Sequence, residues 1–231
     1  MWFKAARPAF AHEARVLAIL GPLAPDLLPD VIATTDDGWL LLADAGERAR
    51  EHPVDWCGMI HAYAELQRGA AAHVDALLAA GAYDNRPERV VERVHALMRH
   101  LPADLAARLE ARLPQVAEQV DRLSASRLPA TIDHGDLHDG NVFSSDGRVR
   151  IIDWGDSAVA HPLFTLSVAE PEEFAWTLEA WDGYAPPGEL EEEAAIVEEL
   201  RFLLRALNWE HVAELGESEH LVDRIRLFVE A

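Results

Sequence analysis

Residues 129–157 read PATIDHGDLHDGNVFSSDGRVRIIDWGDS. Three of their polar side chains are spaced in a pattern that is typical of an active site. Asp136 is followed, after four residues, by Asn141. An apolar pair, a Ser-Ser-Asp-Gly turn at 144–147 and an apolar run at 149–152 then predict a β-hairpin. The hairpin has Asp136 and Asn141 at its entrance and Asp153 at its exit, so we expect the three side chains to converge.

A convergent set of this kind suits phosphoryl transfer. A carboxylate must orient the attacking hydroxyl and accept its proton, while metal ions bridge the phosphates. Mg²⁺ prefers oxygen ligands such as the Asp153 carboxylate and the Asn141 amide carbonyl. The order His-x-Asp, four residues, Asn, and later Asp-x-Gly is a kinase signature, and it begins here at His134. Any one of these residues alone indicates only an Asp/Gly-rich loop, whereas the joint pattern predicts a catalytic loop.

The two halves of the pattern resemble one family. Residues 134–143 (HGDLHDGNVF) and 151–156 (IIDWGD) are similar to the aminoglycoside phosphotransferase family, to which choline kinase and homoserine kinase are related. Protein kinases usually have Arg where this chain has Gly135 and Phe where it has Trp154, which indicates the small-molecule branch. The motif is specific for the family but does not identify the acceptor.

The resemblance implies a fold, cofactors and roles. The fold is α+β and protein kinase-like, with two lobes, and the cofactors are ATP and Mg²⁺. Asp136 is then the catalytic base, with Asn141 and Asp153 as metal ligands. We expect a partial N-terminal lobe over 1–46, built from a strand, a helix, a hairpin and the hinge. A mostly helical C-terminal lobe over 47–231 contains the catalytic hairpin, 131–156.

The N-terminal residues predict a nucleotide site. Residues 1–5 are typical of a strand end, and Pro8 opens a helical pattern that Gly21 ends. In kinase-like folds a strand Lys holds the α- and β-phosphates, and a Glu on the next helix holds that Lys. Lys4 and Glu13 have those positions; the alternative is a surface Lys and a solvated Glu.

A hairpin is predicted next, with strands at 31–34 and 39–42 around an Asp-Asp-Gly turn. In the family the second strand leads into the hinge, where backbone groups bind adenine. We therefore assign Leu42 and Asp44 to the nucleotide site.

The chain departs from the family pattern at its start. Lys4 has three residues before it, and the first glycine is Gly21, so a Gly-rich phosphate loop is missing upstream of the Lys. Two explanations are open, a chain truncated at its N-terminus and a reduced or degenerate member. The intact set of Asp136, Asn141 and Asp153 favours truncation.

Helical patterns dominate the remainder. We expect helices through 53–126, with Pro114 kinking or splitting one of them, and again over 170–182, 190–214 and 217–230. In the family the helices after the metal motif help to build the acceptor site. The candidates for acceptor contacts are Asp156, Trp181, Asp182, Trp209 and Glu210, although Trp in a helix is more often a core residue.

Composition limits the partners. The chain has 231 residues, with 20 Lys plus Arg against 41 Asp plus Glu, a net charge of −21. Such a chain repels nucleic acid phosphates and anionic membranes, so neither is an expected partner. The charge favours a cationic acceptor, or else simply a well-solvated acidic surface. A single cysteine, Cys57, and the lack of a membrane-length apolar run fit the cytoplasm.

Two functions follow. The leading hypothesis is an ATP-dependent phosphotransferase that moves the γ-phosphate to a hydroxyl of a small molecule. The alternative is a kinase-like binding module without catalysis, a degenerate or fragmentary member of the family.

Overall fold

The computed structural model describes residues 1–231, apart from the side chain at position 171. Strands and helices are mixed up to about residue 160, and helices follow, so the predicted α+β class is confirmed. The helices are α1 (Glu13–Leu20), α2 (Trp56–Ala70), α3 (Val74–Ala80), α4 (Pro87–Leu97), α5 (Ala103–Ser124), α6 (Pro171–Ala180), α7 (Pro187–Asn208), α8 (Glu210–Ala213) and α9 (Glu219–Glu230). The strands are β1 (Trp2–Lys4), β2 (Val31–Thr34), β3 (Leu40–Leu42), β4 (Glu47–Arg48), β5 (Tyr83–Asn85), β6 (Thr131–Asp133), β7 (Val142–Ser145), β8 (Arg148–Ile151) and β9 (Ala158–Ala160).

The N-terminal sheet has the order β1-β3-β2, with both pairs antiparallel. Trp2 pairs with Leu42 and Lys4 with Leu40, so the start of the chain is tied to the predicted hairpin. The next helix, α1, has apolar residues at helical spacing that face the core, so its opposite face points away from the core. These buried residues are Ala14, Val16, Leu17 and Leu20.

The catalytic hairpin is longer in its strands and tighter in its turn than the sequence pattern predicts. Val142 pairs with Ile151, and the pairing continues to Ser145 with Arg148. Only Asp146 and Gly147 form the turn, and both have positive φ, 53° and 77°. Two consecutive left-handed residues make the two-residue turn that matches the twist of a hairpin. β4 pairs with the outer edge of β7 and completes a small sheet.

A third sheet, β5-β9-β6, was not predicted from the sequence. β9 runs parallel to β5 and antiparallel to β6. β5 interrupts the region 53–126 that the pattern predicts as helical, because three residues are too few to show a strand period. The sheet joins β5, in the helical region, through β9 to β6 at the start of the catalytic hairpin region 131–156.

The long helix α5 continues without a break through Pro114, so the predicted split does not occur. Proline removes one backbone donor and crowds the preceding turn, which usually breaks a helix. Here an apolar stripe on both sides of the proline anchors the helix to the core, and its members are Leu105, Leu109, Leu113, Val116, Val120 and Leu123. The predicted helix 190–214 ends earlier, at Asn208, and α8 follows it.

Two apolar cores result. One joins α4, α5, α7 and α9. The other joins α1 and β3 to α2, α3 and the catalytic hairpin, so the N-terminal elements and the hairpin share one core. Across the residues that the structure describes, we find no helix with both the length and the apolarity to cross a membrane.

Candidate functional site

The catalytic loop starts at a position that only glycine can occupy without strain. Gly135 has a φ of +80°, and a Cβ there would lie 2.4 Å from the backbone oxygen of Asp156. That contact is shorter than any real Cβ contact, and the conformation itself disfavours a side chain. Gly135 therefore lets the loop lie directly against the segment after β8 and presents Asp136 beside it.

His134 links the two halves of the motif. Its side chain is fully buried, and burial lowers its pKa, so the ring is neutral. Nε2 lies 2.8 Å from the backbone oxygen of Ile152, and Nδ1 lies 3.3 Å from the backbone nitrogen of Asp136. Because a neutral ring has one donor and one acceptor, Nε2–H donates to Ile152 and Nδ1 accepts from Asp136. The backbone N–H of His134 donates to the hydroxyl of Tyr63 at 2.8 Å.

The two carboxylate oxygens of Asp136 have different neighbours. Oδ2 lies 3.2 Å from His138 Nε2 and 3.4 Å from Asn141 Nδ2. Oδ1 lies 3.3 Å from Nη2 of Arg205. Burial raises the pKa of Asp136, but the hydrogen bond and charge of His138 and the charge of Arg205 outweigh it, so the pKa is lower than usual. Asp136 is thus an ionised carboxylate, the form in which it can accept a proton.

Asn141 and Asp153 stand at neighbouring ends of the hairpin. The backbone oxygen of Asn141 accepts from Ile152 N at 2.9 Å, directly before Asp153. The Asn141 amide nitrogen donates to the backbone oxygen of Asp136 at 2.9 Å, which leaves its carbonyl oxygen for another ligand. Asp153 is left-handed, with φ +66°, and its side chain is 51% exposed.

This donor set fits Mg²⁺, which takes one or two protein oxygens together with substrate phosphates. Asn141 and Asp153 supply one amide oxygen and one carboxylate at adjoining positions of the hairpin. Over the described residues, no group of three or more His, Cys, Asp or Glu side chains forms a site that could hold a metal ion. One amide oxygen and one carboxylate are the kind and number of protein ligands that Mg²⁺ takes where phosphates complete its shell.

Lys4 connects the N-terminal sheet to this hairpin. Its Nζ lies 2.5 Å from Glu13 Oε2 and 2.5 Å from Asp153 Oδ1. Burial lowers the pKa of Lys4, but the charges of Glu13 and Asp153 outweigh it and raise the pKa. Glu13 is fully buried, and its Oε1 accepts from the backbone nitrogen of Trp154 at 3.0 Å. The structure therefore brings Lys4, Glu13 and Asp153 together, so this is not a surface Lys and a solvated Glu.

A cavity of about 300 Å³ opens beside Lys4. Leu42, Ala43 and Ala45 line it from the segment after β3, and Phe143 and Ile152 line it from the hairpin. Its walls are mostly apolar, as is usual for small-molecule sites. The predicted residue Leu42 is thus part of the wall.

Asp44 has a structural role at the same place. Its Oδ1 accepts from the backbone nitrogen of Gly46 at 3.1 Å and from Trp2 Nε1 at 3.4 Å. The hydrogen bond from Gly46, and then that from Trp2, lower the pKa of Asp44. Asp44 does not itself line the cavity, but it fixes the turn after β3 that carries Ala43 and Ala45, which do.

The candidate acceptor residues are not brought together. Asp156 lies beside the catalytic loop, with Oδ1 3.3 Å from His211 Nε2. Trp181 is fully buried in the helical core, and Asp182 follows it at an exposed position. Trp209 packs against His220, with ring centroids 4.7 Å apart. Glu210 pairs with Arg93 at 2.8 Å. Of the five, Asp156 alone lies directly against the loop that carries Asp136.

Sequence reasoning missed a buried polar chain that holds the loop. Asn208 Nδ2 donates to the backbone oxygen of Gly135 at 2.8 Å. Asn85 Nδ2 donates to Asn208 Oδ1 at 3.0 Å, and Arg93 donates to Asn85 Oδ1. Arg93 is held in turn by Glu210. A polar residue directly after Ala206 and Leu207 is the only sequence signal for Asn208, and Asn85 stands in the strand that was not predicted.

Replacing Asn208 by Ala tests whether this chain positions the catalytic loop. The substitution leaves the Gly135 carbonyl and the Asn85 amide without a buried partner, at a cost of about 1–3 kcal/mol for each group. We expect lower thermal stability and, in a phosphotransfer assay, a lower kcat with unchanged MgATP affinity. The matched control is Gln115→Ala, which truncates an amide side chain on the exposed face of α5. A fall in MgATP affinity instead would contradict a role confined to the loop.

A second prediction concerns Asp133, at the end of β6. Burial raises the pKa of this fully enclosed carboxyl to about 7. A group whose pKa is raised by folding binds a proton more readily in the folded state than in the unfolded state. The free energy of unfolding therefore falls as pH rises from about 4, the pKa in the unfolded chain, to about 7. We expect Asp133→Asn to remove this part of the pH dependence. Urea unfolding of parent and variant at pH 5, 6, 7 and 8 measures it, and a constant difference between them would contradict the assignment.

The fold, the Lys–Glu pair and the braced Asp loop define a protein kinase-like phosphotransferase fold. The sequence matches the phosphotransferase enzyme family, APH, over residues 2–194, and the chain belongs to that family. The family expected from the motif is therefore confirmed. No curated protein matches the sequence.

Solved structures share the fold at low identity. Macrolide 2'-phosphotransferase MphH from Brachybacterium faecium is 21% identical, with a TM-score of 0.58, over 96% of this chain and 81% of that one. The GDP complex of aminoglycoside 2'-phosphotransferase-IIIa is 14% identical, with a TM-score of 0.64, over 99% and 84%. A choline/ethanolamine kinase family protein from Mesorhizobium loti is 18% identical, with a TM-score of 0.59, over 100% and 76%. These likenesses confirm the kinase-like fold.

Proposed function

We propose that this protein transfers the γ-phosphate of ATP to a hydroxyl group of a small molecule, with Mg²⁺ as cofactor. Membership of the phosphotransferase family supports a small-molecule phosphotransferase. The observation that carries the proposal is the arrangement of these side chains around the hairpin. An ionised Asp136 stands on a braced loop, Asn141 and Asp153 lie at adjoining hairpin ends, and Lys4 joins Asp153 to buried Glu13.

The nucleotide is held by the N-terminal elements in this proposal. The adenine lies in the cavity beside Leu42, and Asp44 fixes the turn that carries Ala43 and Ala45 of the cavity wall. Lys4 binds the α- and β-phosphates, and Glu13 keeps its ammonium group in place. Asn141 and Asp153 hold Mg²⁺, which neutralises charge on the phosphates when bound. Residues 1–46 then form the N-terminal lobe and residues 47–231 the C-terminal lobe.

Asp136 performs the proton transfer. The acceptor hydroxyl lies against its carboxylate, gives up its proton to it, and forms a bond to the γ-phosphorus. The bond from that phosphorus to the bridging oxygen breaks, and ADP leaves. His134 and Asn208 hold the loop, so the carboxylate is oriented before the substrate arrives.

The acceptor is a small molecule. Solved structures that share the fold include a kanamycin complex, a gentamicin complex and an ethanolamine kinase. Each of those named compounds is an amine that carries at least one hydroxyl group. The net charge of −21 agrees with a cationic acceptor at long range. A cytoplasmic location, where ATP and Mg²⁺ are plentiful, completes the proposal.

Calorimetric titration with ATP and with GTP, each with and without Mg²⁺, is the first experiment. GTP is included because similar structures hold GDP. We expect Mg²⁺-dependent binding, followed by ADP or GDP release when a hydroxyl acceptor is supplied. Mg²⁺-dependent binding without release for any acceptor would favour the binding module. Absence of nucleotide binding would contradict the proposal.

A further inference from the structure

His138 lies in the catalytic loop, two residues after Asp136, and its ring is partly exposed. Its Nδ1 lies 2.9 Å from the backbone nitrogen of Gly140, and its Nε2 lies 3.2 Å from Oδ2 of Asp136. A backbone N–H can only donate, so Nδ1 is the acceptor, and in the neutral ring Nε2 then carries the hydrogen. His138 therefore donates from Nε2 to the carboxylate of the proposed base.

The other tautomer would place its hydrogen between Gly140 and Asp139. Oδ1 of Asp139 lies 3.4 Å from Nδ1 of His138, but Arg50 already donates to that oxygen, at 2.7 Å from Nη2 and 3.1 Å from Nε. A hydrogen on Nδ1 would also meet the N–H of Gly140, and two donors that face each other at 2.9 Å repel. The surroundings of Nδ1 therefore favour the ring that carries its hydrogen on Nε2.

Gly140 is the residue that admits the ring. Its φ lies outside the left-handed region, so the backbone conformation does not require glycine here. A Cβ at this position would lie 2.6 Å from Cε1 and 3.0 Å from Nδ1 of His138, and the first distance is shorter than real Cβ contacts. An alanine would thus displace the ring, whereas glycine lets Nδ1 reach the backbone N–H.

The two oxygens of the Asp136 carboxylate become unequal as a result. Oδ2 accepts from Nε2 of His138, and the amide nitrogen of Asn141 reaches the same oxygen at 3.4 Å. The two nitrogens are 3.5 Å apart because both donate to this one acceptor. Among the described residues, Oδ1 accepts from Arg205 alone, at 3.3 Å. Since a carboxylate oxygen has two lone pairs, Oδ1 keeps one for a proton.

We propose that His138 is a positioning residue that holds Oδ2 of Asp136 and so leaves Oδ1 to accept the proton of the acceptor hydroxyl. The proposal rests on the phosphotransferase function above. As the hydroxyl oxygen bonds to the γ-phosphorus and ADP leaves, the proton passes to Oδ1. A terminal carboxylate torsion is soft, so without this bond the carboxylate turns more freely and the base is aligned less often.

The tautomer of His138 is the first test, and it needs no nucleotide. Nitrogen-15 NMR of the imidazole rings distinguishes a hydrogen on Nε2 from one on Nδ1, and His138→Gln identifies the resonances of His138. The spectra are recorded at pH 9, because the hydrogen bond to Asp136 raises the pKa of His138. We expect hydrogen on Nε2 in the parent and a mixture of tautomers in Gly140→Ala. Hydrogen on Nδ1 in the parent, or an unchanged ring in Gly140→Ala, would overturn the proposal.

Turnover of MgATP is the second test, with water as the acceptor and ADP release as the signal. His138→Leu removes the donor, and we expect kcat to fall about 10- to 100-fold, the contribution of a hydrogen bond to a charged group, with KM for MgATP unchanged. His138→Gln keeps an N–H that can reach Oδ2 and should recover most of this loss. His52→Leu is the matched control, because His52 also lies 3.2 Å from a carboxylate oxygen, that of Glu47.

Gly140→Ala distinguishes a role through His138 from a general disturbance of the loop. We expect it to lower kcat as His138→Leu does, and the variant with both substitutions to be no slower than His138→Leu. Parental kcat in His138→Leu, or equal losses in the Leu and Gln variants, would overturn the positioning role and leave the proposed function standing. A parent that does not bind MgATP would overturn the proposed function, while the NMR spectra would still decide whether His138 holds Asp136. A parent that binds MgATP but releases no ADP would overturn both.

Discussion

Asp136→Asn is expected to reduce phosphate transfer by about 10²- to 10⁴-fold, the contribution of a positioned general base. The amide keeps the shape of the side chain and can still accept from Arg205, but it cannot take the hydroxyl proton. Asp136 is ionised in the parent, because His138 and Arg205 outweigh the effect of burial on its pKa. The measurement is single-turnover transfer from MgATP to the acceptor at saturating concentrations of both.

The affinity for MgATP separates loss of the base from loss of the site. We expect this affinity to change little in Asp136→Asn, since in the proposal Lys4 binds the phosphates and Asn141 and Asp153 hold the metal. Asp121→Asn, an exposed position on α5, is the matched control and keeps parental turnover. Unchanged transfer by Asp136→Asn would remove Asp136 from the role of base.

The sequence predicts an element of the fold where its hydrophobic period spans enough residues to be recognised, or where a typical turn sequence marks it. The alternation around the Asp-Gly turn gives the catalytic hairpin, and the apolar stripe of α5 gives a helix that the structure confirms. The same stripe explains why Pro114 does not break that helix, since tertiary packing outweighs a local preference. The strands β5 and β9 have three residues each and no visible period, so only the pairing of β9 with β5 and with β6 defines them.

The candidate site likewise has residues that the sequence predicts and residues that it does not. Residues within the motif are read from spacing, since the hairpin fixes their positions relative to one another. Arg205 and Asn208 reach the loop from a helix that lies far along the chain, and no local pattern records such a contact. Aromatic and acidic types suggested Trp181 and Glu210 as acceptor contacts, but one is core and the other pairs with Arg93. Residue type alone does not show which face of a helix is turned to the cleft.

Asp153→Asn is the second large effect that we expect, and it acts on metal dependence. Asp153 has a left-handed backbone, φ +66°, which Asn tolerates, so the substitution removes charge with little strain. The parent should bind ATP more tightly with Mg²⁺ than without it. In the variant we expect the increase in ATP affinity that Mg²⁺ causes to be smaller by at least about 10- to 100-fold. Loss of even an indirect metal partner costs that much in metal affinity.

Metal-free ATP should respond to Asp153→Asn in the opposite direction. Asp153 holds Lys4 at 2.5 Å in the parent, and its negative charge faces the proposed phosphate site. Removing the charge leaves Lys4 paired with Glu13 alone and takes away repulsion of the triphosphate, so affinity without Mg²⁺ should hold or rise. Asp146→Asn is a matched control because Asp146 is also a left-handed aspartate, with φ 53°, at the far turn of the same hairpin. Titrations of all three proteins with ATP, with and without Mg²⁺, give the comparison. If Asp153→Asn keeps the full parental gain from Mg²⁺, the metal is held elsewhere and Asp153 serves only to hold Lys4.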